Sequence, residues 1–340
     1  FWYLYSHFHT KERTIFAAIW KQNKFSEKGR ILIYWYDFED KINYQEQLDI
    51  DFTKIDIYKE EKSIIVKYEN NFNLLINTDN EYMKLDLNIS NVNFTVELQI
   101  NEYYTNMPAF IPNFYNTPLR KLFEFTQTGC PNEWGSDNPY VGKIIGGSFN
   151  NSIIESGGHF WYDNMLGFNT IILSEYIWCM IMTDEWIIYL LWYENEDNIN
   201  KNIRNMTKPI YIKNLKTNKV IYCGFQTNIA TGFSTLDNLL YPLKMKLNTN
   251  NTYGNDVFDN FDIYFKYLNF EIKIKSIKDQ SVKVLDMNDY YNSNDVDIDK
   301  LNAFDKKYYK CLINHRYIEY VNIVDVSIND NGKIINFKSR

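Results

Sequence analysis

The sequence predicts an all-β protein, a barrel or sandwich of short antiparallel strands. Three observations carry that prediction. Aromatic residues make up 17% of the 340 residues, with 28 Tyr and 23 Phe, and aromatics with the many Ile favour pleated, half-buried surfaces. Apolar runs of strand length follow one another closely, broken by Asn and Asp rather than by the 13 Gly and 7 Pro. Asn and Asp tolerate left-handed backbone and are expected to supply most of the turns. No stretch shows the period of a long amphipathic helix.

In order, residues 1–8 (FWYLYSHF) read as a strand with Phe1, Tyr3, Tyr5 and His7 on one face and Trp2, Leu4, Ser6 and Phe8 on the other. A polar turn at 9–12 leads to a second strand, Arg13 to Trp20, closing a hairpin. A lone His on a Tyr face is more often a hydrogen-bonded core residue than a ligand. Strands at 30–38, 54–58, 63–68, 72–76, 82–89 and 93–100 follow. Residues 101–139 are irregular and hold five prolines, Pro108, Pro112, Pro118, Pro131 and Pro139. A loop that long is usually functional, as a lid or rim.

Strands at 141–150 and 152–158 lead into Gly157-Gly158-His159-Phe160-Trp161-Tyr162-Asp163-Asn164-Met165-Leu166-Gly167. The most apolar part of the chain comes next, a hairpin of 170–182 and 185–194 turning at Thr183-Asp184. After a polar loop at 195–208, strands are expected at 209–212, 219–224, 240–247, 261–268, 270–277 and 281–285. An acidic, Asn-rich loop at 288–299 precedes the last strands at 308–314, 317–323 and 333–337.

Composition removes several function classes. A net charge of −7 and a pI near 5.3, without a basic run, argue against a nucleic-acid partner and a polybasic membrane anchor. The apolar stretch 171–193 is broken by Glu175, Asp184 and Glu185, so no integral membrane segment is expected. Cys130, Cys179, Cys223 and Cys311 are far apart, which is neither zinc spacing nor a disulfide framework; reduced, partly buried thiols are expected. Sequons such as those at Asn88, Asn93 and Asn205 arise by chance in so Asn-rich a chain. No targeting pattern is visible from Phe1 onward, which tilts the expectation toward the cytoplasm without assigning a compartment.

The chain also lacks a Gly-rich phosphate loop, a nucleophile elbow and clustered His and Cys. No metal and no cofactor is expected. What remains is acid–base chemistry by a carboxylate among aromatic rings, and Asp163 is the candidate. A carboxyl buried against rings loses solvation of its charged form and keeps its proton. It could then protonate an alkene or enol, with Trp and Tyr faces stabilising the cation. The alternative is structural: Asp163 capping a turn or bonding backbone amides between strands.

Three separated stretches resemble one family, the lipocalin-like hydratase and cyclase superfamily, with its carotenoid 1,2-hydratase, kievitone hydratase, AttH and fungal Diels–Alderase types. Trp2-Tyr3-Leu4-Tyr5-Ser6-His7, with Arg13 behind it, resembles the opening Trp-Tyr-Phe-x-x-His hairpin. Gly158 to Gly167 resembles Gly-x-Ala-Trp-Met-Asp-His-x-Trp-Gly, followed at the right interval by Trp178 and Asp184-Glu185. Arg316-Tyr317-Ile318-Glu319-Tyr320 is similar to the Gly-Tyr-x-Glu near the family's C-terminus. Asn164 stands where the family usually has His, Leu166 where it has Trp, and Asn314-His315 where glycines are common.

The resemblance implies two tandem lipocalin-like β domains, 1–167 and 168–340, with a pocket for an apolar small-molecule ligand in or between them. It implies Asp163 as proton donor in a cofactor-independent hydratase, cyclase or isomerase acting on an isoprenoid- or polyketide-like substrate. Tyr3, Tyr5, Trp161, Asn164 and Trp178 would line the pocket, and His7 or Glu319 would position water or the leaving proton. The departure at Asn164 favours a second reading, a hydrophobic-ligand carrier without catalysis, because a neighbouring imidazole could orient or reprotonate the acid. A third reading is a structural or surface-recognition protein that has lost the pocket. Barrels filled by side chains, or a solvated Asp163, would favour that one.

Overall fold

The computed structural model describes residues 2–21, 28–77, 79–103, 140–166, 173–195, 208–226, 243–249, 261–286, 298–303, 306 and 318–339. These residues are overwhelmingly β-strand, paired antiparallel throughout, and the chain divides into two compact units. The described residues of the first fall within 1–112, 132–169 and 289–314.

That unit is built on twelve strands: β1 (Trp2–His9), β2 (Arg13–Lys21), β3 (Lys28–Asp37), β4 (Ile42–Asp51), β5 (Asp56–Glu60), β6 (Ser63–Tyr68), β7 (Phe72–Asn77), β8 (Tyr82–Ile89), β9 (Val92–Tyr103), β10 (Tyr140–Phe149), β11 (Ser152–Ile154) and β12 (His159–Leu166). Their order in the sheet is β4-β3-β2-β1-β12-β10-β9-β8-β7-β6-β5, with β11 on β10. Chain neighbours pair within β1–β4 and within β5–β11, β4 and β5 form the two edges, and β12 enters between β1 and β10 to join the two halves.

The sheet curls strongly. Trp35 on β3 and Phe149 on β10 are four strands apart in the order, about 19 Å in a flat sheet, yet their rings meet at 5.0 Å. Phe8 reaches Phe94 at 5.2 Å across three strand spacings. The concave face carries one continuous apolar cluster. It runs from Leu4, Phe8, Ile15, Ile19 and Ile31, through Phe160 and Tyr162, to Phe94, Met83 and Val66. At its rim the Arg13 guanidinium pairs with Asp37 at 2.9 Å and lies over the Phe149 ring.

The described residues of the second unit fall within 113–131, 170–288 and 315–340. It holds a four-stranded sheet, β13 (Leu173–Met182), β14 (Trp186–Asn195), β15 (Lys208–Asn214) and β16 (Lys219–Gln226), in that order. It also holds a five-stranded sheet, β17 (Leu243–Thr249), β18 (Phe261–Tyr267), β19 (Phe270–Asp286), β20 (Ile318–Asp330) and β21 (Lys333–Ser339). Ile181, Trp186, Ile188 and Ile212 of the first pack with Phe265, Ile272, Ile274, Val326 and Ile328 of the second, making one core.

Several expectations are corrected. β4 was not anticipated: Ile42, Tyr44, Leu48 and Ile50 share one face, interrupted only by Glu46, but the strand forms the sheet edge and only Ile50 of it is buried. β19 is one strand with bulges rather than two strands, and β20 runs on to Asp330. β11 stops at Ile154, and the aromatic stretch itself becomes β12. Turns are also built differently. Of the ten non-glycine residues with positive φ among the described residues, six are Lys41, Glu61, Glu69, Glu81, Ser90 and Leu268. The other four are Asn150, Asn151, Asn218 and Asn331, and Asn also works through its side chain: Asn77 Oδ1 accepts the Asn80 N–H at 3.0 Å, and Asn329 Oδ1 the Gly332 N–H at 2.9 Å. An amide oxygen that caps a turn removes the need for the Asn backbone itself to turn left-handed. The loop expected at 101–139 starts later than that, since β9 runs on to Tyr103; its remainder, 104–139, and the strand expected at 308–314 lie outside the described residues.

Candidate functional site

The site is a face of the β1–β12 ladder, and its geometry follows from strand alternation. Across the ladder His7 pairs with Trp161, Tyr5 with Asp163 and Tyr3 with Met165. On the other side of β1 the same residues pair with Phe16, Ala18 and Trp20 of β2. These continue to Tyr34, Leu32 and Arg30 of β3. Directly opposed residues share a face, so three parallel rungs result: Trp161–His7–Phe16–Tyr34, Asp163–Tyr5–Ala18–Leu32 and Met165–Tyr3–Trp20–Arg30.

This is the convex face of the curled sheet, and it is nonetheless covered. Trp161 is 2% exposed and Leu32 fully buried, and Phe16, Ala18, Trp20 and Tyr34 are buried too. His7 meets the edge of the Phe16 ring at 5.0 Å, and Phe16 lies 6.1 Å from Tyr34. The His7 ring keeps some surface, but its Nε2 is shut off from solvent. Burial, with the nearby His9 adding to it, pushes the His7 pKa down to about 3. The imidazole is therefore neutral at ordinary pH. It can accept a hydrogen bond, but it has no proton to give as an acid.

Two glycines set the start of β12. Gly157 has φ of +112°, and Gly158 lies so close to β1 that a Cβ there would stand 2.4 Å from the His9 carbonyl oxygen. Gly157 N–H donates to Ile144 O at 3.0 Å, and Ile144 N–H to Gly158 O at 2.8 Å. This close approach brings β12 into register with both β1 and β10.

Alternation separates the two halves of the Asp163-Asn164 pair. Asn164 stands opposite Leu4, whose side chain belongs to the concave core. Its register position is therefore on the other face from Asp163. The side chains of Tyr3, Tyr5, Asp163, Asn164, Trp178 and Glu319 lie outside the described residues, and their register positions are what can be stated. Trp178 pairs with Leu191 on β13–β14, and Glu319 with Leu285 on β19–β20, both in the second unit. The register thus brings Tyr3, Tyr5, His7, Trp161 and Asp163 together on two adjacent strands. Phe16, Ala18, Trp20, Leu32 and Tyr34 were not singled out from the sequence. Their signal was present, since period two in β2 sets Phe16, Ala18 and Trp20 on one face. Only the pairing shows that this is the face of Asp163.

Among the described residues no group of His, Cys, Asp and Glu could hold a metal ion. No helix of the described residues is long and apolar enough to cross a membrane. Cys179 is a free thiol, pushed up to about 12 by burial.

Ladders and site define an all-β protein of two antiparallel β units with an aromatic, carboxylate-bearing sheet face. No protein-family model and no curated protein matches the chain. Solved structures similar to it include kievitone hydratase from Nectria haematococca, 13% identical with a TM-score of 0.49, covering 99% of this chain and 86% of that one. Another is a protein described as an AttH from Nitrosomonas europaea, 10% identical with a TM-score of 0.47, covering 99% of this chain and 89% of that one.

Proposed function

We propose that this chain is a cofactor-independent hydratase, cyclase or isomerase acting on an apolar, isoprenoid- or polyketide-like alkene, with Asp163 as the proton donor. The observation that carries the reading is the ladder, in which the Asp163 position falls one rung from the His7–Trp161 pair on a buried aromatic face. A carboxyl held among rings keeps its proton, because its charged form is poorly solvated there. In the proposed step the alkene π pair takes that proton to form a C–H bond, leaving a carbocation and the Asp163 carboxylate. Ring faces, Trp161 foremost, stabilise the cation. Water then adds to the cation, or a second alkene does, and the proton released returns to the carboxylate.

His7 has a limited part in this scheme. A pKa of about 3 makes its imidazole a weak base, so it orients water by accepting a hydrogen bond and does not store the proton. The motif departure at Asn164 bears less on the acid than the sequence alone suggests, because position 164 faces away from position 163. A pocket in the concave interior of the first unit receives no support, since apolar side chains fill that face. The test is Asp163→Asn assayed against isoprenoid and polyketide alkenes. Loss of turnover is expected, and unchanged turnover with an unchanged product profile ends the assignment. A co-purifying lipid without turnover on any alkene would instead indicate a carrier.

A further inference from the structure

A second site lies on the same sheet, away from the β1–β12 ladder. The outer face of strands β5 to β9 holds a half-open cavity of about 510 Å³, within the size range of small-molecule sites. Two neighbouring rungs of the ladder build its floor, and they differ in chemistry. One is apolar: Tyr58 pairs with Ile65, and Ile65 with Leu75. The next is polar: Asn73 pairs with Asp86, and Asp86 with Thr95.

Three donors hold the Asp86 carboxylate in place. Thr95 Oγ1 donates to Oδ1 at 3.0 Å, Asn73 Nδ2 to Oδ2 at 3.4 Å, and the Lys84 ammonium lies 3.5 Å from Oδ1. A carboxylate has about four acceptor positions, so acceptor capacity remains, with the Asn73 amide oxygen beside it. The Tyr58 ring, on the edge strand, is 46% exposed and available for stacking. The lining charges Lys67, Glu69 and Asp86 are mixed in sign, with Lys54 3.8 Å from Glu69 and Lys84 3.5 Å from Asp86, so the cavity favours neither an anion nor a cation. A wholly apolar ligand would bury the polar rung without replacing its hydrogen bonds with water, at a net cost.

We propose that this cavity binds a neutral carbohydrate, with a pyranose ring laying its C–H face on Tyr58 and the Ile65–Leu75 rung while its hydroxyls donate to Asp86 and Asn73. The inference is independent of the reaction proposed for Asp163.

The test is an NMR titration of the full chain with the methyl glycosides of glucose, galactose, mannose and N-acetylglucosamine, and with cellobiose. Saturable shifts confined to β5–β9 are expected with at least one of them. Tyr58→Ala should weaken that binding by about tenfold, through loss of the stacking surface. Asp86→Asn, which keeps the side-chain shape, should weaken it by about tenfold through loss of the charged acceptor. Tyr44→Ala, on the opposite sheet edge, should leave it unchanged. Absence of saturable shifts with every sugar overturns the proposal, and so does binding that survives Tyr58→Ala and Asp86→Asn at full strength.

Discussion

His7 stands directly opposite Trp161 across the β1–β12 ladder, and the next rung pairs Tyr5 with Asp163. A neutral imidazole and a buried indole thus make up the rung next to that of Asp163, the only acid in the aromatic stretch. Since the imidazole has no proton to give at ordinary pH, any proton donated on this face has to come from another group.

The His7 state has a direct consequence for pH. Its ring should stay neutral through the physiological range in an NMR titration and take up a proton only near pH 3. The sign for stability follows from linkage. The folded pKa is depressed below the unfolded value of 6.5, so between these values the unfolded state binds more protons. The His7 contribution is intact above about pH 6.5 and is lost as pH falls toward 3. His7→Phe should therefore flatten the fall in thermal midpoint over that window; an unchanged profile would contradict it.

Gly158→Ala should destabilise the first unit, because a Cβ would stand 2.4 Å from the His9 carbonyl oxygen, a backbone atom that cannot swing aside. A cost of about 1–3 kcal/mol is expected for such forced overpacking. Gly146→Ala is the comparison, since a Cβ there meets nothing within 4 Å and its effect should stay within about 0.5 kcal/mol. Denaturant unfolding of the two variants decides the matter.

Asp37 is a stronger structural carboxylate than its surface counterparts. It is 7% exposed, pairs with Arg13, and accepts the Glu39 and Asp40 N–H groups. Asp37→Ala strands those donors and should cost roughly 2–4 kcal/mol. Lys62→Ala, which breaks the exposed pair with Asp79, should leave the thermal midpoint where it is.

Cys179 should resist alkylation in the folded protein, because burial holds its thiol up near 12 and leaves almost no thiolate at neutral pH. Peptide mapping after iodoacetamide treatment should find it labelled only once the chain is unfolded. Rapid labelling of the native protein would show that the second unit opens easily around β13.

Much of the fold was legible because period two is a local signal. β1, β2, β3 and β6 to β10 all alternate or run apolar, and the pairing of β1 to β3 and of β6 to β9 as hairpins follows from chain proximity. β4 was harder to read, since Glu46 interrupts the alternation of Ile42, Tyr44, Leu48 and Ile50 and an edge strand buries little beyond Ile50. The use of Glu, Lys and Ser in left-handed turns was also hidden; side chains earlier in the turn, Asn77 before Glu81 and Asp37 before Lys41, cap two of these turns. At the site, the shared parity of Trp161 and Asp163 was readable, whereas their partners were not. Pairing of β12 with β1 joins residues 150 to 164 positions apart in sequence, and no local pattern encodes such a contact. The same long-range register moves Asn164 to the core face, which adjacency in the sequence conceals.

The most direct test of the central claim is deuterium transfer. The protein is incubated in D₂O with a panel of isoprenoid and polyketide alkenes, and the products are read by mass spectrometry and NMR. Wild-type protein should place one deuteron on the former alkene carbon. Asp163→Asn, confirmed folded by an unchanged thermal midpoint, should lower the rate of that incorporation by about 100-fold or more, as expected for loss of a positioned general acid. Equal incorporation by Asp163→Asn, or none by the wild type on any alkene, would contradict the account.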